Sequence, residues 1–294
     1  DEDFASKTTY LSGQIENATV SYDRVTITIL DNSLYIKDEI QSNLYLGNNS
    51  GGNGIEGDAD NIKDKPKPLA YGAITNATPI LVNYSRQIYQ VHDGSVQSID
   101  DVYDGQTTFS FQADVADNAT LQALSVSSGN YATCIAEGLI KLGNTPQRGV
   151  TVDFKGDNTG GYIDRPGAIV RRIIENQTEL TVADLDTGSF TQFDIDYNYE
   201  VGIYIPNKQT VVSAITEVLG PLNYWTFNRS GLMSVGVFTL ASGLPAETYT
   251  VDETIDRSGR PVARIVNNDS TRGVPVWRLN FEWGKNYTIQ TRDN

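Results

Sequence analysis

The one histidine of this chain, His92, stands directly before Asp93 and Gly94, so the first chemistry to weigh is proton transfer by a His-Asp pair. A hydrolytic triad needs the carboxylate aimed at the far ring nitrogen and a separate nucleophile, and adjacency in sequence supplies neither. His92-Asp93-Gly94 therefore reads as a turn. With one histidine and one cysteine, Cys134, there is no ligand set for zinc and no internal disulfide framework. Several Asp-x-Asp pairs, among them Asp58 with Asp60, Asp184 with Asp186 and Asp194 with Asp196, offer the hard oxygens that calcium takes. None continues into a loop with a glycine and a closing glutamate. All three read as solvated turns, with Asp58 and Asp60 the calcium candidates to test.

Other chemistries find less. Glycoside hydrolysis needs two carboxyl groups roughly 5 to 9.5 Å apart across a sugar, and 37 acidic residues provide no means of choosing a pair. The glycine-rich stretches at Gly51 to Gly57 and Gly156 to Gly161 lack both GxGxxG order and a GKS/T ending, so they read as turns, not phosphate cradles. Tyr224, Trp225 and Phe227 would suit a sugar-stacking platform, but the same residues fill β-cores and interfaces. No cofactor is expected.

Composition narrows the class of partner. A formal charge of −15 and a pI near 4.4 oppose phosphate backbones, since nucleic-acid binding depends on Lys and Arg displacing counterions. No apolar run is long enough to span a bilayer as a helix and no charged, apolar leader opens the sequence. The first residue is Asp1 and not Met, which fits a processed product or a piece of a longer protein. Nine Asn-x-Ser/Thr triplets, the first at Asn17 and the last at Asn286, would suit a secreted glycoprotein, but Asn with Ser or Thr also gathers in β-turns.

The elements that must position these residues are mostly strands. Val25, Ile27 and Ile29 alternate as in a strand with one buried face, and the chain starts like the middle of a β-module. Residues 43 to 68, rich in Gly, Asn, Asp and Pro, read as a long loop or module boundary. Beyond it come β-type runs near Tyr71, at Pro79 to Tyr84, Gln87 to Val91 and Thr107 to Val115. Asn130 to Leu142 reads as a short helix broken by glycines. Pro166 just after Asp164 and Arg165 opens a helix whose stripe is Ile169, Val170, Ile173 and Ile174, leaving Arg171 and Arg172 for solvent or a neighbouring subunit. Val211, Val212, Ile215, Val218 and Leu219 recur at helical spacing before Gly220-Pro221. A hairpin follows across Asn228 to Gly231, and Trp277, Leu279, Phe281 and Trp283 alternate at the end. The expected architecture is mainly β with an α+β insertion: β-barrel or sandwich modules plus a two-helix region. Its parts are an N-terminal β-module over 1–45, a β-rich module with a turn-rich lead-in over 46–128, an α+β module over 129–245 with helices at about 165–177 and 208–220, and a closing β-module over 246–294.

The block KPKPLAYG from Lys65, the run YQVHDG ending at Gly94, the Arg165 to Glu175 helix, FNRSGLMSVGVF and RLNFEWGKNYTIQ from Arg278 resemble the tail hub or tail tip proteins of long-tailed bacteriophages. The first and last are the most specific. That resemblance implies a structural virion component and no enzyme: a β-barrel framework with an inserted α+β region, usually a homotrimer, that continues the tail tube and supports fibres or a spike during attachment and DNA delivery. It implies assembly in the bacterial cytoplasm with other tail proteins; the −15 charge, taken with it, suggests an acidic lumen through which DNA passes without specific binding. Interface candidates are Lys65, Pro66, Pro68, Tyr71, Arg171, Arg172, Arg278 and Tyr287. Two other classes remain: a carbohydrate-binding adhesin or receptor-binding module using aromatic platforms and calcium, and a tail-associated hydrolase.

Overall fold

Residues 69–74 are apolar on both sides of the pleat, and the layers of the protein are arranged to cover both. The computed structural model describes residues 13–30, 32–49, 54–220, 223–227, 231–237 and 287. The chain forms two compact units, residues 1–237 with 285–294 and residues 238–284, and every described residue lies in the first. Its strands are β1 (Gln14–Val20), β2 (Val25–Leu30), β3 (Leu69–Ala77), β4 (Ile80–Asn83), β5 (Ile88–Gln90), β6 (Val96–Asp104), β7 (Thr107–Thr108) and β8 (Ser110–Asp114). After helix α1 (Asn118–Ala123) come β9 (Asn130–Cys134), β10 (Leu139–Leu142) and β11 (Val150–Asp157), then α2 (Pro166–Gln177), α3 (Thr187–Asp196), β12 (Gly202–Ile205), α4 (Val211–Leu219), β13 (Asn223–Phe227) and β14 (Met233–Val237).

Two five-stranded sheets face each other, ordered β4-β5-β10-β9-β8 and β12-β3-β11-β6-β7. All their pairings are antiparallel except β8 with β9. Because side chains alternate across a strand, each sheet serves two cores. Tyr89, Val91, Ile140 and Leu142 of the first sheet meet Ala70, Ile74, Val102, Val152 and Phe154 of the second. On the outer face of the first sheet, Ile88, Leu139, Ala132 and Cys134 are covered by Leu121 of α1 and by Tyr45 and Ile62 from the turn-rich segment. On the outer face of the second, Leu69 and Tyr71 of β3 and Ile203 and Ile205 of β12 pack under α2, α3 and α4, with Ile36, Ile40, Met233 and Val235. The protein is thus mainly β with a small α+β region. Its cores cross the expected module boundaries: Tyr45 packs with Ile62, and Val102 shares a core with Phe154.

Local chemistry sets the helix limits. Pro166 occupies the first turn of α2, where its missing N–H costs nothing, and Ile169, Val170, Ile173 and Ile174 are fully buried, each worth roughly 1.5–3 kcal/mol over exposure. Thr210 caps α4 through Ser213 N–H, and Gly220 ends it at φ +76°. The sequence did not announce α3. Asp186 caps it, and only Phe190 and Phe193 face the core, so its apolar stripe is too thin to stand out from the surrounding β-type residues.

Three expectations need correction. Asn130 to Leu142 is a strand pair around a 3-10 turn at Ile135–Glu137, not a helix; Tyr131, Ala132 and Ile140 are buried from both sheet faces, and Gly138 takes the left-handed conformation of a turn, at φ +62°. Residues 43–49 and 54–68 do form the expected loop but no module boundary, since Tyr45 N–H donates to Lys65 O at 2.9 Å and Lys67 N–H to Asn43 O at 2.9 Å, and Tyr45 and Ile62 join the core on the first sheet. Val25, Ile27 and Ile29 do lie in a strand, but exposed, because β1 and β2 pair only with each other among the described residues.

Gly72 and Gly202 face each other where β12 joins β3. Gly72 has φ +75°, and a Cβ there would lie 1.9 Å from Val201 O and 2.9 Å from Ile169 Cδ1. Gly72→Ala should therefore lower unfolding free energy on the order of 3 kcal/mol; urea unfolding curves within 0.5 kcal/mol of wild type would refute this close packing.

Candidate functional site

His92 reaches a buried cluster, but its carboxylate partner is not Asp93. The ladder between β11 and β3 runs from Val152 opposite Ala77 to Lys155 opposite Ala73, and there the strands part, leaving Ala70 N–H without a strand partner on that side. His92 Nδ1 accepts that N–H at 3.0 Å, and Asp93 N–H donates to Pro68 O at 2.8 Å. The turn thus extends the sheet in place of a strand. Accepting at Nδ1 places the neutral ring's proton on Nε2, which faces Asp157 Oδ1 at 3.6 Å, beyond ordinary hydrogen-bond length.

Asp157 ends β11 and is almost fully buried. Arg172 Nη1 donates to its Oδ2 at 2.6 Å, and Thr159 N–H to its Oδ1 at 3.1 Å. Burial works to raise this carboxyl, but the contacts from His92 and Thr159 outweigh it, and the group sits below the ordinary carboxylate range. Arg172 also donates to Thr159 O and, at 3.2 Å, to Gly161 O. One guanidinium therefore ties α2 to the end of β11 and to the glycine turn behind it. Tyr71 stands edge-on to His92 with ring centroids 6.1 Å apart, and burial drives its phenol far above its usual range. The cluster holds an acid in its ionised form and a protonated phenol. It has no activated nucleophile, and His92 and Asp157 are sealed from solvent. Its geometry performs electrostatic fastening, not turnover.

The other carboxylates named from sequence serve backbone ends. Asp58 Oδ1 accepts from Asp60 N–H at 3.2 Å and Asn61 N–H at 3.0 Å, an Asx turn. Asp184 closes a capping box with Thr181, and Asp186 caps α3. Asp194 reaches back to the start of α2, accepting from Gly167 N–H at 2.6 Å and Ala168 N–H at 2.9 Å; burial nonetheless pushes its carboxyl up. Among the described residues no group of three metal-binding side chains converges. Cys134 is buried, its thiol pushed up to about 11 by burial and by Glu137.

Several interface candidates belong to the chain's own core. Pro66, Pro68 and Tyr71 are buried and Lys65 is exposed. Arg171 pairs one turn along its helix with Glu175 at 2.6 Å, whereas Arg172 turns inward to Asp157. The expectation that both arginines face solvent or a neighbour fails for Arg172, because a buried carboxylate demands a cation. Tyr287 packs on its own sheet: its hydroxyl accepts from Tyr204 N–H at 2.7 Å, and its N–H donates to Thr75 O at 3.2 Å. Arg278 lies outside the described residues. Trp225 and Phe227 lean on the helical core, with Tyr224 half-exposed beside them. Asp157 escaped notice in the sequence, and Arg172 was named only as a surface candidate, because a glycine turn and a helix face separate them from His92.

Two open grooves lie elsewhere. One of about 540 Å³ is lined by Leu34, Lys37, Asp38, Asn176 and Glu179; the other, about 470 Å³, by Asp104, Thr108, Asn144, Gln147 and Arg148. In the second, Asp104 is already occupied by Gln147 N–H at 2.7 Å and Arg148 N–H at 2.6 Å. No family model, no curated protein and no solved structure matches the chain.

Removing the charge of Asp157 leaves the half-buried Arg172 against a neutral partner. Asp157→Asn should cost about 3 kcal/mol at pH 7. Since the folded carboxyl is depressed, the stability it supplies is present above the unfolded value near 3.9 and is lost as pH falls through the folded one. The gap between wild type and variant should narrow in denaturant titrations from about pH 4 downward; a gap that stays constant with pH contradicts the assignment.

Proposed function

We propose that this chain is a structural component of a bacteriophage tail tip, a hub that continues the tail tube and supports fibres or a spike, and that it is no enzyme. The observation that carries this reading is the use of its most specific block. Lys65 to Tyr71 and His92 resemble the hub proteins in sequence, and here they are spent on joining layers: Pro66 and Pro68 lead the covering segment into β3, Tyr71 enters the helical core, and His92 completes the sheet. A block whose side chains are consumed by framework fits assembly better than turnover. The mainly β framework with its helical layer agrees with the architecture that the resemblance implies.

The charge agrees as well. Asp101 stands directly opposite Asp153 across β6 and β11, a like-charge juxtaposition that costs stability, with Tyr103 donating to Asp153 at 3.1 Å. On this reading such acidic sheet faces line the channel, where they keep DNA from adhering. Among the described residues no helix is long and apolar enough to cross a membrane.

Light scattering on the purified chain, followed by negative-stain imaging, tests the proposal. A closed ring, expected to hold three copies around an opening, supports it. A monomer that captures glycans on an array would replace it with the adhesin reading, and turnover of peptidoglycan would replace it with a hydrolase.

A further inference from the structure

The hairpin of β1 and β2 turns an apolar face to solvent. In its register Ile15 stands opposite Ile29, Ala18 opposite Ile27 and Val20 opposite Val25, so these side chains share one face. Asn17, Thr19, Thr26 and Thr28 share the other. The five larger members of the apolar face are between 40% and 75% exposed, none is charged, and no third strand pairs with the hairpin among the described residues. A two-stranded ribbon is marginal in water without something against its apolar side.

The identity of that something is constrained by charge, length and area. A lipid surface fits poorly: strands of seven and six residues fall short of the nine to eleven that cross a bilayer, and a chain of charge −15 is repelled by anionic headgroups. The same net charge keeps copies of the chain apart over most of their surface, so they can approach with least opposition where a face has no charge at all. A face presented identically by every copy is also what closed homo-oligomers use. Its area is on the order of 400 Å² per copy, the size of the largest apolar patch on an ordinary monomer, which is often functional. That is half of the roughly 800 Å² that each partner gives to a standard interface, so the hairpin would form an apolar centre within a polar rim.

We infer that this face is a contact between copies of the chain, hairpins of neighbouring copies packing apolar side against apolar side. The inference builds on the tail-assembly reading; because it pairs the same face of two copies, the contact joins copies in twos, in addition to the contacts that close a ring of three.

The full chain is compared with Ile27→Asp and Thr26→Asp by sedimentation and light scattering. The two substitutions carry the same charge and the same loss of strand preference on opposite faces of β2. Wild type should associate, Ile27→Asp should weaken association at least tenfold, and Thr26→Asp should leave it unchanged. In parallel, Ile27→Cys should yield a covalent dimer with a short bismaleimide and Thr26→Cys should not, with the buried Cys134 silent. An assembly undisturbed by Ile27→Asp overturns the contact and leaves the ring reading standing. A monomeric wild type overturns the contact, and glycan capture by that monomer would overturn the ring reading separately. Two further results overturn it by naming another occupant: a lowered melting temperature of a monomer in Ile27→Asp alone, meaning a segment of its own chain, or flotation of wild type with phosphatidylcholine vesicles, meaning lipid.

Discussion

The first part of strand β3, residues 69–74, is covered on both faces, and the rest of the described unit follows from that constraint. A strand with Ala70, Ile74 and Ala77 on one side and Leu69 and Tyr71 on the other cannot border water on either. One side is met by the opposing sheet and the other by three helices. Full burial also forbids any unpaired N–H or C=O along the strand, because such a group forfeits its hydration without replacement. Each departure from regular pairing along β3 must therefore be repaired by something specific.

Those repairs are where the distinctive residues lie. Where β11 leaves β3, His92 supplies the acceptor that Ala70 N–H would otherwise lack, and Asp93 uses Pro68 O. Where β12 joins β3, two glycines allow backbones to approach more closely than any side chain would permit. Beyond the start of β12, Tyr287 returns from far along the chain to Thr75 and Tyr204. The Asp157 and Arg172 pair lies behind the first of these repairs, fastening α2 to the sheet it covers. A buried ion pair of this kind is a poor source of net stability, yet breaking it leaves a charge without a partner, so it specifies arrangement more than it adds energy.

The hairpin of β1 and β2 is the exception to this economy. In the two five-stranded sheets the main apolar faces are covered by a named layer, whereas Val25, Ile27 and Ile29 are left open. The alternation that the sequence offers as the mark of a buried face marks an exposed one in β2. Periodicity reports that a face is apolar and is silent on what will cover it.

Much of the local structure was legible from the chain alone. The stripe of α2 with Pro166 at its start, the run of α4 stopped by Gly220, most strand positions and the predominance of β all follow from side-chain period and backbone sterics within about ten residues. The acidic charge and single histidine and cysteine likewise narrowed the chemistry before any fold was known. What only the tertiary structure decided involves residues distant in sequence. These are the pairing of His92 with Asp157 instead of its neighbour Asp93, the inward turn of Arg172, the use of Asp194 to cap a helix more than twenty residues earlier, and the burial of Pro66, Pro68 and Tyr71. The physical reason is the same in each case. A local pattern fixes which way a side chain points from its own element, but its partner is chosen by which elements pack together, and that choice belongs to the whole core.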